Sequence, residues 1–160
     1  MIGIGSDHNG FELKQRIAAH LAERGEAFRD FGAFTDEPVD YPEVAAAVAE
    51  AIAAGVVARG ILACGTGLGM AIAANKVPGI YAATVTDPYT ARLSRERNNV
   101  QIIALGANVV GPGRAFAIVD AWLGAEFVGG DSARKIAKIR ALEERYSREL
   151  TTAMTGGRQW

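Results

Sequence analysis

The chain contains a single cysteine, and its neighbours are the residues best suited to chemistry. Ile61-Leu62-Ala63-Cys64 reads as the end of an apolar strand that breaks into Gly65-Thr66-Gly67-Leu68-Gly69. Just beyond, Met70-Ala71-Ile72-Ala73-Ala74 has the composition of a helix. A thiol at such a junction lies near the positive end of a helix, which favours thiolate over thiol. The free N–H groups of a glycine-rich loop can bind an anion or a developing oxyanion. The stretch therefore offers a base or nucleophile together with a stabiliser of negative charge. The bland alternative is a small buried hydrophobe, the usual fate of a free cysteine. Glycines at 65, 67 and 69 favour chemistry.

The elements that must position this loop follow from alternating patterns. Strands are expected over Met1–Ser6, Ala27–Phe31, Val56–Ala63, Ile80–Val85 and Val100–Leu105. Helices are expected over Phe11–Arg24, with Leu13, Ile17 and Leu21 on one face, and from Pro42 to Gly55. Further helices are expected over Pro88–Arg97, Pro112–Leu123 and Ser132–Leu150, the last with Ile136, Ile139, Leu142 and Tyr146 at steps of three or four. Gly25 closes the first helix as a glycine after the C-terminus does. Strand alternating with helix implies a Rossmann-like three-layer αβα sandwich: a five-stranded parallel sheet with helices on both faces. One domain over residues 1–150 is expected, followed by a frayed tail over 151–160.

Composition narrows the function class. About half of the 160 residues are apolar and the net charge is -1, which lacks the basic excess of a nucleic-acid binder. One cysteine excludes an intrachain disulfide and gives no zinc-ligand cluster, so a reducing cytoplasm fits. No signal peptide is evident, and no apolar run approaches the roughly 18 residues of a membrane span.

Ligands of open α/β sheets bind outside the carboxyl ends of the strands. That rule gathers Ser6-Asp7-His8-Asn9-Gly10, Cys64-Gly65-Thr66, Thr86-Asp87 and Gly106-Ala107-Asn108 into one crevice. Asp7 is as well explained by a helix cap as by catalysis. His20, inside the first helix, reads as structural.

With these motifs placed, the chain resembles the ribose-5-phosphate isomerase B family, which also contains the galactose-6-phosphate isomerase subunits. The resemblance is carried by Gly5-Ser6-Asp7-His8-Asn9-Gly10-Phe11, Asp40-Tyr41-Pro42 and Cys64-Gly65-Thr66-Gly67-Leu68-Gly69. Ala73-Ala74-Asn75-Lys76-Val77-Pro78-Gly79-Ile80 and Asn98-Asn99 add to it. It implies interconversion of an aldose phosphate and a ketose phosphate through an enediolate, without metal or organic cofactor. It makes Cys64 the proton carrier between C1 and C2, and Gly65, Thr66, Gly67 and Gly69 the oxyanion loop. Loss of one such donor costs roughly 3–4 kcal/mol in comparable sites. Asp7 would handle hydroxyl protons, His8 would contact substrate or phosphate, and Tyr41 and Asn98 would line the sugar site. The family forms homodimers, often paired into tetramers, with each site completed by the neighbouring subunit.

Four departures bear on substrate. The family usually has a ring-opening histidine before the Asn-Asn pair, and this chain has Arg97, a poor proton donor near neutral pH. Family arginines that contact phosphate correspond to Asn108, Asp131 and Lys135. Arg134 and Arg97 are available to replace them, because guanidinium binds phosphate as a bidentate fork. Arg114 and Lys138 read as solvated surface. The expected reaction is ribose 5-phosphate to ribulose 5-phosphate. The alternatives are a tetrose 4-phosphate, which cannot close a furanose ring, another sugar needing no ring opening, or a non-catalytic anion-binding domain of the same fold.

Overall fold

The chain runs β1 (Ile2–Ser6), α1 (Phe11–Glu23), β2 (Phe28–Asp30), α2 (Tyr41–Ala53), β3 (Arg59–Cys64), α3 (Leu68–Ala74), β4 (Ala82–Thr84), α4 (Pro88–Asn98), β5 (Ile102–Gly106), α5 (Pro112–Leu123) and α6 (Asp131–Thr155). This computed structural model describes residues 1–155 and the side chains of residues 1–148. All five strands are parallel, in the order β2-β1-β3-β5-β4. Strand and helix alternate as the sequence predicts. The strand β3 begins at Arg59 instead of Val56, because the Val56 and Val57 N–H groups still bond the Ala51 carbonyl as α2 unwinds through Gly55 (φ 71°).

Side chains alternate across the sheet. Ile2 and Ile4 of β1, Ile61 and Ala63 of β3, and Ile103 and Leu105 of β5 meet α1, α4 and α5. Leu13, Ile17, Leu21, Ala91, Ile118 and Trp122 supply the helix side of that layer. The opposite residues, Leu62, Cys64, Ile102 and Ala104, meet Val44, Ala45, Val48, Met70 and Ala74 of α2 and α3. Burial of each Leu or Ile here contributes about 1.5–3 kcal/mol. Glycines let α2 lie close to the sheet. A Cβ on Gly5 would come within 2.6 Å of Val44, and one on Gly60 within 2.7 Å of Val48. Cys64 shares its strand parity with Leu62, so its side chain faces the α2–α3 layer.

The chain divides into two compact units, Met1–Phe127 and the segment from Val128 onward. The first holds the sheet and α1 to α5; the second holds α6. Residues 151–155 of the expected tail continue α6, and 156–160 lie outside the described residues. The apolar spacing predicted for α6 is present, but of its four members Ile136 alone is buried, and Ile139, Leu142 and Tyr146 are exposed. Among the described residues no helix is long and apolar enough to cross a membrane.

Candidate active site

Three strand ends meet beside Cys64. Ser6 pairs with Ala63 and Cys64 pairs with Gly106, while the Asp7 N–H donates to the Ala63 carbonyl at 3.3 Å. Asp7 and Cys64 thus leave neighbouring strands side by side at the carboxyl edge of the sheet.

The loop after Cys64 is pinned by β5. Ala107 N–H donates to the Cys64 carbonyl (2.8 Å), and Asn108 N–H to the Gly65 carbonyl (3.0 Å). Thr84 Oγ1 donates to the Gly67 carbonyl at 3.1 Å from β4. Gly67 has φ 81°, a left-handed conformation that side chains disfavour, and it is the residue from which α3 starts. Its N–H points back and donates to Cys64 Sγ at 3.1 Å. The sulfur therefore faces a backbone donor of the glycine loop. Both readings of the cysteine meet here, since Cys64 is also 5% exposed and packs in the α2–α3 core layer. Thr66 is exposed at the loop's crest, its Oγ1 accepting from Leu68 N–H at 3.4 Å.

Asp7 is buried, and its Oδ1 accepts the Gly10 N–H at 2.9 Å. Gly10 itself, with no side-chain cap, precedes α1, so Asp7 braces the turn ahead of the helix. That bond uses one carboxylate oxygen. His8 is exposed; its Nδ1 accepts the Val39 N–H at 3.4 Å, and the Asn9 amide lies 3.1 Å from Nε2. Tyr41 lies against the first turn of α3, where a Cβ on Gly69 would come within 2.8 Å of the ring. The structure thus brings together Asp7, His8, Tyr41, Cys64, Gly65, Thr66, Gly67 and Gly69.

Arg97 and Asn98 are not brought to this cluster within one chain. The helix α4 leaves β4 at the carboxyl edge and runs antiparallel to the strands, and Asn98 precedes the start of β5 at Ile102. The partner of Cys64, Gly106, is the other end of β5, about 13 Å away at the rise of a strand. Arg134 and Lys135 belong to the second unit, exposed on the first turns of α6, with Arg134 3.8 Å from Asp131.

Other residues have structural tasks. Asp87 caps α4, accepting from Thr90 N–H (2.8 Å) and Thr90 Oγ1 (2.6 Å). The Thr90 hydroxyl, then its N–H, hold the Asp87 carboxyl below the ordinary carboxylate range, with a smaller contribution from Arg114. His20 stacks on Phe116 at 4.5 Å and meets Asp120 at 2.7 Å, the structural role expected of it. Sequence reasoning gathers Asn9 into the crevice but gives it no role. Its Cβ and the Asn108 amide both flank Gly65, and both residues line a groove of about 500 Å³ between α1 and the start of α5. The signal was available, since Asn9 sits in the same turn as Asp7 and His8.

Comparison with known proteins agrees with this fold. The sequence profile described as ribose/galactose isomerase matches residues 2–139. Ribose-5-phosphate isomerase B of Escherichia coli is 49% identical over 144 residues, covering 90% of this chain and 97% of the relative. D-erythrulose-4-phosphate isomerase of Pectobacterium atrosepticum is 50% identical over 139 residues, covering 86% and 91%. The solved structure of Clostridium thermocellum ribose-5-phosphate isomerase B superposes with a TM-score of 0.89 at 54% identity, covering 91% and 98%. With that profile covering most of the chain and relatives near 50% identical over nearly their whole length, this chain belongs to the ribose/galactose isomerase family.

Proposed function

We propose that the protein is a sugar-phosphate aldose–ketose isomerase acting on ribose 5-phosphate and ribulose 5-phosphate, without metal or organic cofactor. The observation that carries this reading is the Gly67 N–H at 3.1 Å from Cys64 Sγ, with Asp7 on the adjoining strand end. Cys64 as thiolate takes the proton from C2 of the open-chain aldose, and the C2–H electron pair forms the C1–C2 double bond. Negative charge moves to O1, where N–H groups of the loop from Gly65 to Gly69, beside Thr66, receive it. Asp7 carries a proton from O2 to O1, and the Cys64 thiol returns its proton to C1.

His8 and Tyr41 hold the sugar, and Arg134 and Lys135 offer positive charge to its phosphate. Arg97 and Asn98, at the far edge of their own sheet, serve the site of a neighbouring copy. A homodimer, which can pair into a tetramer, is supported by the apolar Leu68 and Ile72 exposed on α3 and by the exposed apolar residues of α6. The composition favours a cytoplasmic protein.

Arg97 favours a second reading. A guanidinium cannot open a furanose ring by proton transfer, and a tetrose 4-phosphate has no such ring to open. The 50% identical relative bears the name of an erythrulose-4-phosphate isomerase.

The test is aldose–ketose conversion and deuterium exchange at C2 over pentose 5-phosphates and tetrose 4-phosphates. Cys64→Ala is expected to abolish both while retaining the wild-type circular dichroism spectrum. Unchanged exchange in that variant removes Cys64 as the base. Binding without exchange for every sugar favours an anion-binding domain.

A further inference from the structure

One buried charged group has no part in the reaction described above. Lys14 lies on α1 beside Leu13, and its side chain is 1% exposed. Its ammonium has three N–H donors. They meet Asp30 Oδ1 at 2.8 Å, Asp30 Oδ2 at 2.7 Å and the Ala33 carbonyl. The rings of Phe11 and Phe34 lie 5.5 and 5.7 Å from the nitrogen. A buried ammonium is tolerated only when so fully paired.

All three acceptors belong to the short segment Asp30–Ala33. Asp30 Oδ1 also accepts the Gly32 N–H at 2.9 Å. Phe31 N–H donates to the Ile4 carbonyl and Ala33 N–H to the Ser6 carbonyl, so the segment lies along β1 up to the residue before Asp7. Residues 34–40 beyond it are exposed. They form a strap that touches His8 through the Val39 N–H and ends with Tyr41 against Gly69.

We propose that Lys14 is a positioning residue: by mooring Asp30–Ala33 to α1 it fixes where the strap delivers Val39 to His8 and Tyr41 to the cysteine loop. This rests on the isomerase reading above. A neutral imidazole accepts at only one nitrogen. The Val39 N–H at Nδ1 (3.4 Å) and the Asn9 amide nitrogen at Nε2 (3.1 Å) compete for that acceptor, and withdrawing Val39 leaves Nε2 to accept from Asn9 with the hydrogen on Nδ1.

Lys14→Met keeps the length of the side chain and removes its charge. The expected result is a rise in KM of about tenfold with kcat within about threefold of wild type. The ¹⁵N resonances of the His8 imidazole should move toward the Nδ1–H form, and amide exchange over residues 31–39 should quicken by about tenfold. Asp30→Asn should give smaller changes in the same direction, and the double variant should be no worse than Lys14→Met. A lowered melting temperature with unchanged KM, unchanged His8 resonances and unchanged exchange overturns the proposal. If Lys14→Met does not fold, Asp30→Asn decides by the same measurements. The resonance and exchange readings need no substrate. An inactive wild-type protein therefore refutes the isomerase reading without deciding the role of Lys14.

Discussion

Replacing Gly10 by alanine should injure the protein through sterics alone. The backbone there has φ -92° and ψ -4°, which alanine adopts, so no conformational penalty applies. The added Cβ would lie 2.3 Å from both the carbon and the oxygen of the Ala63 carbonyl, and 2.7 Å from the Cys64 nitrogen. Such contacts essentially never fall below 3.0 Å, so something must retreat by about 0.7 Å. The obstructing atoms are backbone of the central strand β3, which cannot swing aside as a side chain does. Overpacking of this kind costs about 1–3 kcal/mol, and rigid backbone places Gly10→Ala near about 3. In a chain of this size that lowers the melting temperature by about 6–12 °C. The same retreat disturbs the Asp7–Gly10 bond and the start of the cysteine loop, and a misplacement near 1 Å can cost about a hundredfold in rate. Thermal unfolding followed by circular dichroism, with initial rates on the preferred sugar phosphate, measures both effects. Gly113→Ala is the control, since nothing lies within 4 Å of its Cβ position in α5. It should leave the melting temperature unchanged or raise it slightly. A Gly10→Ala protein melting within about 2 °C of wild type, or no worse than Gly113→Ala, refutes the packing argument.

Two further perturbations address substrate choice and acid stability. Arg97→His should raise turnover of cyclic pentose 5-phosphates by about tenfold or more while leaving tetrose 4-phosphates unaffected; an unchanged ratio counts against a missing ring-opening group. The Asp87 carboxyl lies below its unfolded value of about 3.9, so the stability it contributes is fully present above that value and disappears as pH falls through the folded one. Asp87→Ala should therefore melt below wild type at pH 7, with the gap narrowing as pH drops below about 4. A gap that stays constant down to pH 2.5 (about the lower end of a useful titration) contradicts this assignment.

The sequence made the layer order and the cysteine loop readable because both depend on local pattern. Apolar runs ending at Ser6 and Cys64, with glycines after the helices at 25 and 55, mark elements without knowledge of tertiary contacts. Lys14 was not readable, because its partner Asp30 is sixteen residues away and a lysine beside Leu13 normally turns to solvent. Nor was the reason for Gly10, which lies in the approach of α1 to β3. Arg97 and Asn98 were placed with the crevice residues by motif, and only the direction of α4 separates them from Cys64 in the same chain. The apolar rows of α3 and α6 illustrate a related limit: periodicity identifies a face and says nothing of what covers it.

The motif residue Asn75 has a consequence for how the sheet meets its surroundings. Its amide nitrogen donates to the Ala82 carbonyl and its oxygen accepts the Ala82 N–H, both at 2.8 Å. A single side chain thus plays the part of a missing sixth strand along the rim of β4. At the opposite rim β2 is only three residues long. Short or occupied rims offer little template for a foreign strand. The strand segment richest in large aliphatic residues, Ile102-Ile103-Ala104-Leu105, is kept between two neighbours, away from any border where chains could stack into fibres.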